Sequence, residues 1–183
     1  MLDLRVATNQ IDKWSHEFLR DYGHDFPTII EALITAEDHR ATEHMGIDFT
    51  SLARASVRVL QGKKFGGVST IEQQLARTIF PRAGRNLALS KAHELILSFR
   101  IARARPKQAV WCAYLMIAYY GTGLNGYASV RDQFCRTSRP VTKNQAAKIT
   151  SCLKYPRPRS PSQSWRAAHR LRTDYVLQRW RSL

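Results

Sequence analysis

Residues 34–48, with the sequence ITAEDHRATEHMGID, bring carboxylates and imidazoles together beside a glycine. The polar members are Glu37, Asp38, His39, Glu43, His44 and Asp48. A solvated helix C-terminus would explain such a cluster, and this interpretation stays open beside a chemical one. Because Glu37 follows the apolar stretch ALITA, burial would raise its pKa and let it accept a proton near neutral pH.

Three further groups carry residue types that suit transfer chemistry. A glycine pair, Gly66-Gly67, precedes hydroxyl and amide side chains at Ser69, Thr70, Gln73 and Gln74. A second group pairs Lys91 with Glu94, and four arginines lie nearby in sequence: Arg82, Arg85, Arg100 and Arg103. The third is Lys107, at the head of an apolar stretch.

Together these groups suggest a transfer reaction on a phosphorylated substrate. Arginine and lysine stabilise the charge of a phosphate leaving group, and a glycine loop can cover a site. Taken alone, the glycine pair is more often a simple turn, and the Lys91–Glu94 pair is more often an i,i+3 helix contact. His39 and His44 have no third ligand at a suitable spacing, so no metal site is predicted.

Composition narrows the classes of protein. The 29 Lys and Arg residues outnumber the 14 Asp and Glu residues, which gives a formal net charge of +15 and predicts a polyanionic partner. The three cysteines are odd in number and widely spaced, so no disulfide framework is expected; Cys112 and Cys152 are predicted to be buried. The N-terminal residues resemble neither a signal peptide nor a membrane span, and the apolar run from Ala109 is too short to cross a bilayer.

Helical periodicity dominates the chain and predicts a single mainly α domain over residues 1–183, without a sheet. The expected helices cover residues 28–40, 49–62, 71–80, 87–103, 107–120, 144–153 and 163–180. Capping boxes are predicted from Ser69 to Glu72 and from Thr142 to Gln145.

The order of the polar groups resembles motifs one to four of the peptidoglycan glycosyltransferases, glycosyltransferase family 51. Motif one, E-D-x-x-F-x-x-H-x-G-I/V-D, is matched at Glu37, Asp38, His44, Gly46, Ile47 and Asp48. Motif two, G-G-S-T-I-T-Q-Q, is matched at Gly67, Ser69, Thr70, Ile71, Gln73 and Gln74. Motif three, R-K-x-x-E, is matched at Lys91 and Glu94, and motif four at Lys107, Tyr114 and Leu115. The resemblance runs from about Pro27 to the end of the chain.

The chain also departs from these motifs. Non-matching residues stand at Ala41, Val68, Glu72, Ser90, Cys112 and Met116. Ser90 replaces an arginine that helps hold phosphate in the family, and Cys112 replaces a glutamate. Two interpretations therefore remain: a divergent enzyme, or a weakened module of the same fold that binds lipid phosphate or glycan.

The resemblance implies a lysozyme-like helical head with a smaller membrane-facing jaw, at about residues 49–66. It implies polymerisation of lipid II into β-1,4 glycan with inversion and release of lipid pyrophosphate. Glu37 would be the proton acceptor and Glu94 the second carboxylate, which orients groups or a divalent cation, Mg or Mn, near the pyrophosphate; no organic cofactor is implied. The expected substrate-binding residues are Asp38, His44, Ser69, Thr70, Gln73, Gln74, Arg82, Arg85, Lys91 and Lys107.

The expected partners are lipid II, the growing glycan chain, an anionic membrane surface and cell-wall synthesis proteins. The expected place is the outer face of the cytoplasmic membrane, held peripherally; because no export signal is visible in the sequence, a cytoplasmic location is the alternative. Nucleic acid ranks last as a partner, since no recognition motif accompanies the basic charge.

Overall fold

The fold is mainly α, as the helical periodicity predicts. A computed structural model describes residues 2–62, 69–81, 87–136 and 139–182. Its helices are α1 Leu2–Tyr22, α2 Phe26–Glu37, α3 Phe49–Leu60, α4 Ile71–Ile79, α5 Leu87–Ala104, α6 Lys107–Ile117, α7 Gly126–Phe134, α8 Lys143–Lys154 and α9 Gln163–Arg181. The prediction of a mainly α, lysozyme-like fold is confirmed, and α1 and α7 add helices that the sequence patterns did not delimit.

Helix α6 forms the centre of the core. Its residues from Val110 to Leu115 are all buried, and α1, α4, α5 and α7 pack around it. Cys112 belongs to this run, and Cys152 is buried in α8, so both cysteines lie in the core as predicted. Within the described residues, no helix is long and apolar enough to span a membrane.

A short hairpin corrects the prediction that the chain has no sheet. Strands β1, Tyr119–Gly121, and β2, Leu124–Asn125, pair antiparallel just after α6. The helix expected to reach residue 120 therefore ends at Ile117, where Ala118 turns extended. Gly121 and Gly123 both have positive φ, which permits the tight reversal. Strands this short show no alternation in sequence, so the pattern could not reveal them.

Two helix starts test the predicted capping boxes. Thr142 caps α8 with Gln145 reaching back, so this box is confirmed. The box at Ser69 and Glu72 is wrong: Thr70 is the N-cap of α4, and its hydroxyl accepts from the Gln73 N–H at 3.2 Å. Glu72 is instead fully buried beside Lys107.

Helix α3 begins at an Asp48 cap and lies largely on the surface. The Asp48 carboxylate accepts from the Thr50 and Ser51 amides at 3.1 and 3.0 Å. In this helix only Ala55 is buried, whereas Leu60 is 87% exposed. The described part of the predicted jaw is therefore an exposed helix rather than one packed on the core; residues 63–66 lie outside the described residues.

Gly46 occupies a turn that no other residue fits well. Its φ is +80°, and a Cβ built there would lie 2.5 Å from the Ser98 carbonyl oxygen in α5. The loop between α2 and α3 therefore approaches the α5 backbone closely at this glycine.

We expect Asp48→Asn to destabilise the fold by about 1–2 kcal/mol at pH 7, since it weakens a charge-assisted cap. Desolvation acts to raise the pKa of Asp48, but hydrogen bonds from Ser51 and Thr50 outweigh it and hold the pKa below the usual range. The stabilisation is thus complete above the ordinary aspartate pKa and is lost as the pH falls, so the difference between variant and wild type should shrink at acid pH. Urea unfolding at pH 7 and pH 3 checks this, with the exposed Asp132→Asn as control. A difference that stays the same at both pH values would contradict the role of the charge.

We expect Gly46→Ala to cost roughly 2–4 kcal/mol, because a strained φ is combined with a backbone clash. Gly123→Ala is the matched control, since Gly123 has φ +75° but nothing within 4 Å of a built Cβ. Its cost should be only about 1 kcal/mol. Equal shifts of the thermal midpoint in the two variants would show that the contact with α5 does not constrain the loop.

Candidate functional site

Glu37 is the last residue of α2, at the rim of the core. Helix α2 packs on α8 and α9, so the position of this carboxylate is set by three helices. Its side chain is 15% exposed and lines a cleft together with Asp38, His39, Asp48, Ser51, Ser69 and Thr70. Desolvation raises the pKa of Glu37, and the contacts with Arg172 and Gln74 counteract that rise. A mostly buried carboxylate with a raised pKa is suited to accept a proton near neutral pH.

Both oxygens of Glu37 are held by side chains from other helices. The Gln74 amide donates to Oε2 at 3.3 Å, and the Tyr114 hydroxyl donates to the Gln74 amide oxygen at 2.6 Å. The Arg172 guanidinium lies 3.4 Å from Oε1 and also donates to the Ala36 carbonyl. These contacts from α4, α6 and α9 fix the plane of the carboxylate.

Asp38 and His44 contact each other instead of facing open solvent. His44 Nε2 lies 3.1 and 3.0 Å from the two Asp38 oxygens. The Ile71 amide, in the first turn of α4, donates to Asp38 Oδ2 at 3.2 Å. Asp38 thus joins the loop to the positive end of α4, which supports a framing role. The predicted substrate contacts of both residues stay predictions.

Lys107 is also directed inward. Its ammonium donates to the carbonyls of Ala41 and His44, the latter at 2.6 Å, and lies 3.5 Å from the Glu72 carboxylate. With these contacts Lys107 anchors the loop to the start of α6. These inward contacts favour a structural role for Lys107. That Lys107 also stabilises the negative charge of the leaving group stays a prediction.

Within the part of the chain that the structure describes, one group of side chains has the spacing of a metal site. Ligand atoms of Asp38, His44 and Glu72 all lie within 4.8 Å of one another. The Lys107 ammonium already neutralises Glu72 there, so a protein cation occupies the role that a metal would play. We therefore assign no metal to these residues.

The second predicted carboxylate, Glu94, is buried in α5 and has cations around it. Lys91 donates to Glu94 and, at 3.3 Å, to the Gln73 amide oxygen; Arg77 Nη1 lies 3.9 Å from Glu94. A single carboxylate already paired with two cations does not suit a divalent ion, which requires several oxygen ligands. The Mg or Mn expected near the pyrophosphate therefore has no fitting set of ligands at Glu94 among the described residues.

Helix α4 links the two carboxylates through adjacent amides. Gln74 contacts Glu37, and Gln73 contacts the Lys91 that pairs with Glu94. Gln73 and Thr70 also donate to the Gly46 carbonyl, at 3.4 and 2.8 Å. The structure thus brings together the following predicted residues: Glu37, Asp38, His44, Ser69, Thr70, Gln73, Gln74, Lys91, Glu94 and Lys107. Arg82 and Arg85 lie outside the described residues.

Two arginines at the site were missed by the sequence analysis. Arg172 is separated from Glu37 by 135 residues in sequence, and no spacing rule connects them. Arg77 lies in α4 and approaches Glu94 only because α4 packs on α5. Of the departures from the family motifs, Cys112 is fully buried and its burial raises the thiol pKa to about 12, so it is a core residue.

Known proteins share much of this sequence. The transglycosylase family model matches residues 7–181, which extends the resemblance to before the expected start near Pro27. The chain is 35% identical over 149 residues to a biosynthetic peptidoglycan transglycosylase of Shewanella denitrificans, covering 81% of this chain and 61% of the relative. It is 34% identical over 132 residues to a protein of the same name from a Marinomonas species, covering 72% of this chain and 58% of that relative.

A third relative is a much longer protein. Penicillin-binding protein 1A of Neisseria gonorrhoeae is 31% identical over 156 residues, which are 84% of this chain but 19% of that protein. The chain therefore spans about three fifths of the first two relatives and a small part of this one. Because the family model covers nearly all of the sequence and relatives of more than 30% identity match most of the chain, the chain belongs to the transglycosylase family.

Proposed function

We propose that the chain is a peptidoglycan glycosyltransferase that polymerises lipid II into β-1,4 glycan strands with inversion. The observation that carries this proposal is the pair of adjacent glutamines on α4, which joins Glu37 on one side to the Lys91–Glu94 pair on the other. A proton acceptor and a set of cations thus lie on the two sides of α4, and the names of the relatives point to the same activity.

In the proposed step, Glu37 takes the proton of the acceptor's 4-hydroxyl as that oxygen attacks the anomeric carbon of the donor. The new carbon–oxygen bond forms as the bond to the lipid pyrophosphate breaks on the opposite face, so the configuration inverts. The pyrophosphate leaves with the bonding electron pair, and the proton stays on Glu37 until it passes to solvent. The buried, doubly held carboxylate is suited to this task because its geometry is fixed before the substrate arrives.

The departing pyrophosphate requires positive charge, and two side chains are placed to provide it. Lys91 and Arg77 are each 41% exposed, so a phosphate can reach them, while Glu94 holds both in place. Arg77 is a candidate to supply the positive charge that the family's arginine provides at the position of Ser90. No step is assigned to a divalent cation.

The second candidate is a binding module of the same fold that holds lipid phosphate or glycan without turnover. The inward direction of Lys107 and the buried thiol at Cys112 favour it, because both remove polar groups that motif four would offer to a substrate. Activity on lipid II separates this candidate from the enzyme.

We propose that the chain works against an anionic membrane at the cell envelope, on the outer face of the cytoplasmic membrane and near other cell-wall synthesis proteins. The support is helix α3, where exposed apolar residues are interspersed with Arg54 and Arg58. Its exposed large apolar residues are Phe49, Leu52, Val57, Val59 and Leu60. A helix of this kind can lie in the interface of a bilayer and attract anionic lipid.

We expect Glu37→Gln to reduce glycan polymerisation by about a hundredfold or more, because the amide cannot accept the proton. The assay is incubation with lipid II followed by separation of the polymer. The matched control is Glu31→Gln at an exposed position of the same helix, where the Trp180 indole would still find an oxygen acceptor. Equal rates for wild type and Glu37→Gln would disprove the assignment, and lipid II binding without polymer by the wild type would establish the binding module.

We expect Leu60→Glu to weaken binding to anionic vesicles by about tenfold, since it loses a leucine's transfer energy. The thermal midpoint should stay nearly constant because this side chain is 87% exposed. Binding should also fall steeply with salt, and Leu19→Glu on α1 is the control at another exposed leucine. A large loss of stability would refute the membrane-facing helix, and equal or tighter binding to random duplex DNA at the same salt would favour nucleic acid as the partner.

A further inference from the structure

Arg172 connects the last helix of the chain to the end of α2. Its Nη2 donates to the Ala36 carbonyl and lies 3.4 Å from Glu37 Oε1. The side chain is 12% exposed, and the guanidinium also covers the Tyr175 ring at 5.1 Å from its centroid. An arginine that is mostly buried and makes several contacts differs from a surface ion pair, which contributes little to stability.

We propose that Arg172 is a positioning residue that holds the Glu37 carboxylate in its proton-accepting orientation and so makes the reaction depend on α9. This inference rests on the proposed function, and it adds a role for a helix that carries none of the predicted site residues. Arg172 donates to Oε1 of Glu37 and Gln74 donates to Oε2, so the carboxylate cannot rotate without losing a hydrogen-bonding partner.

Among the charged groups around Glu37, Arg172 has the largest influence on the pKa of the carboxyl. From α9 the guanidinium is the single cation within 4 Å in the described part of the chain, and from α8 Lys154 acts at longer range. From α4 and α6 the partners are the neutral Gln74 and Tyr114. Because desolvation favours the protonated acid, loss of Arg172 would leave a carboxyl that is neutral over a wider pH range and cannot serve as base.

The backbone contact gives the arginine a second function. Ala36 lies at the C-terminal end of α2, where helix carbonyls lack partners and the dipole favours a cation. One nitrogen therefore binds the helix end and the carboxylate together, which ties the direction of Glu37 to the backbone of α2. A lysine would keep the charge but not the planar guanidinium, so the two contributions can be separated by substitution.

The test compares Arg172→Met and Arg172→Lys with Arg170→Met, which removes the same charge from an exposed position two residues away. Polymerisation of lipid II is measured from pH 5 to 9. For Arg172→Met we expect kcat at pH 7 to fall about tenfold with KM nearly constant. We also expect the acid limb of the profile to move up by about one pH unit, because loss of the cation raises the pKa of the base. Arg172→Lys should keep the acid limb in place but lower kcat, and Arg170→Met should match the wild type.

A second readout separates this proposal from the proposed function. The carboxyl of Glu37 is titrated by carbon-13 NMR, with its signal identified by its absence in Glu37→Gln. Its midpoint should rise in Arg172→Met whether or not the wild type polymerises lipid II, and if the methionine variant does not fold, the lysine variant must still show lower kcat with an unshifted midpoint. An unchanged midpoint together with an unchanged acid limb in folded Arg172→Met, or the same changes in Arg170→Met, would overturn the proposal.

Discussion

The arrangement of the site depends on the contact between the loop after α2 and the first turn of α4. Asp38 accepts the Ile71 amide, while Thr70 and Gln73 donate to the Gly46 carbonyl. These contacts bridge 24 to 33 residues of sequence and satisfy polar groups at a helix N-terminus that would otherwise be buried without partners. Once they form, Gln74 faces Glu37 from the next position of the same helix.

Burial favours one arrangement of these helices, because a buried charged group needs a partner of opposite charge and few such partners are available. Glu72 is fully buried and has Lys107 at 3.5 Å, and Asp25 is fully buried with Arg131 at 2.6 Å. Removing one partner of such a pair would leave an uncompensated buried charge, which costs far more than a surface ion pair is worth. Glu72 and Lys107 join α4 to α6, and Asp25 joins the start of α2 to α7, so these helices are held together by charge as well as by apolar packing.

The two acidic residues of the proposed reaction have different surroundings, and this difference separates their roles. Desolvation raises the pKa of Glu37, and the Arg172 cation beside it counteracts that rise, whereas Glu94 has both Lys91 and Arg77 beside it. Such a difference in environment allows one carboxylate to transfer a proton while the other orients cationic side chains. The exposed α3 helix contacts neither carboxylate; in the proposed function, its exposed apolar residues are the surface that meets the lipid.

The sequence by itself determined the helical class, the approximate extent of most helices, the burial of Cys112, and the family, because periodicity and short motifs are local properties. That α3 is exposed and not packed on the core was decided by the tertiary structure, since its pattern of apolar residues fits both. The sequence patterns placed the end of α2 at residue 40, whereas the helix ends at Glu37. They also missed the hairpin and the N-cap of α4, because caps and short strands depend on hydrogen-bonding partners that are distant in sequence. Only the tertiary structure decided that Lys107 faces inward, that Arg77 joins Glu94, and that Arg172 reaches Glu37 across 135 residues. A side chain's direction and its charged neighbours follow from how helices pack, and no spacing along one chain encodes that packing directly.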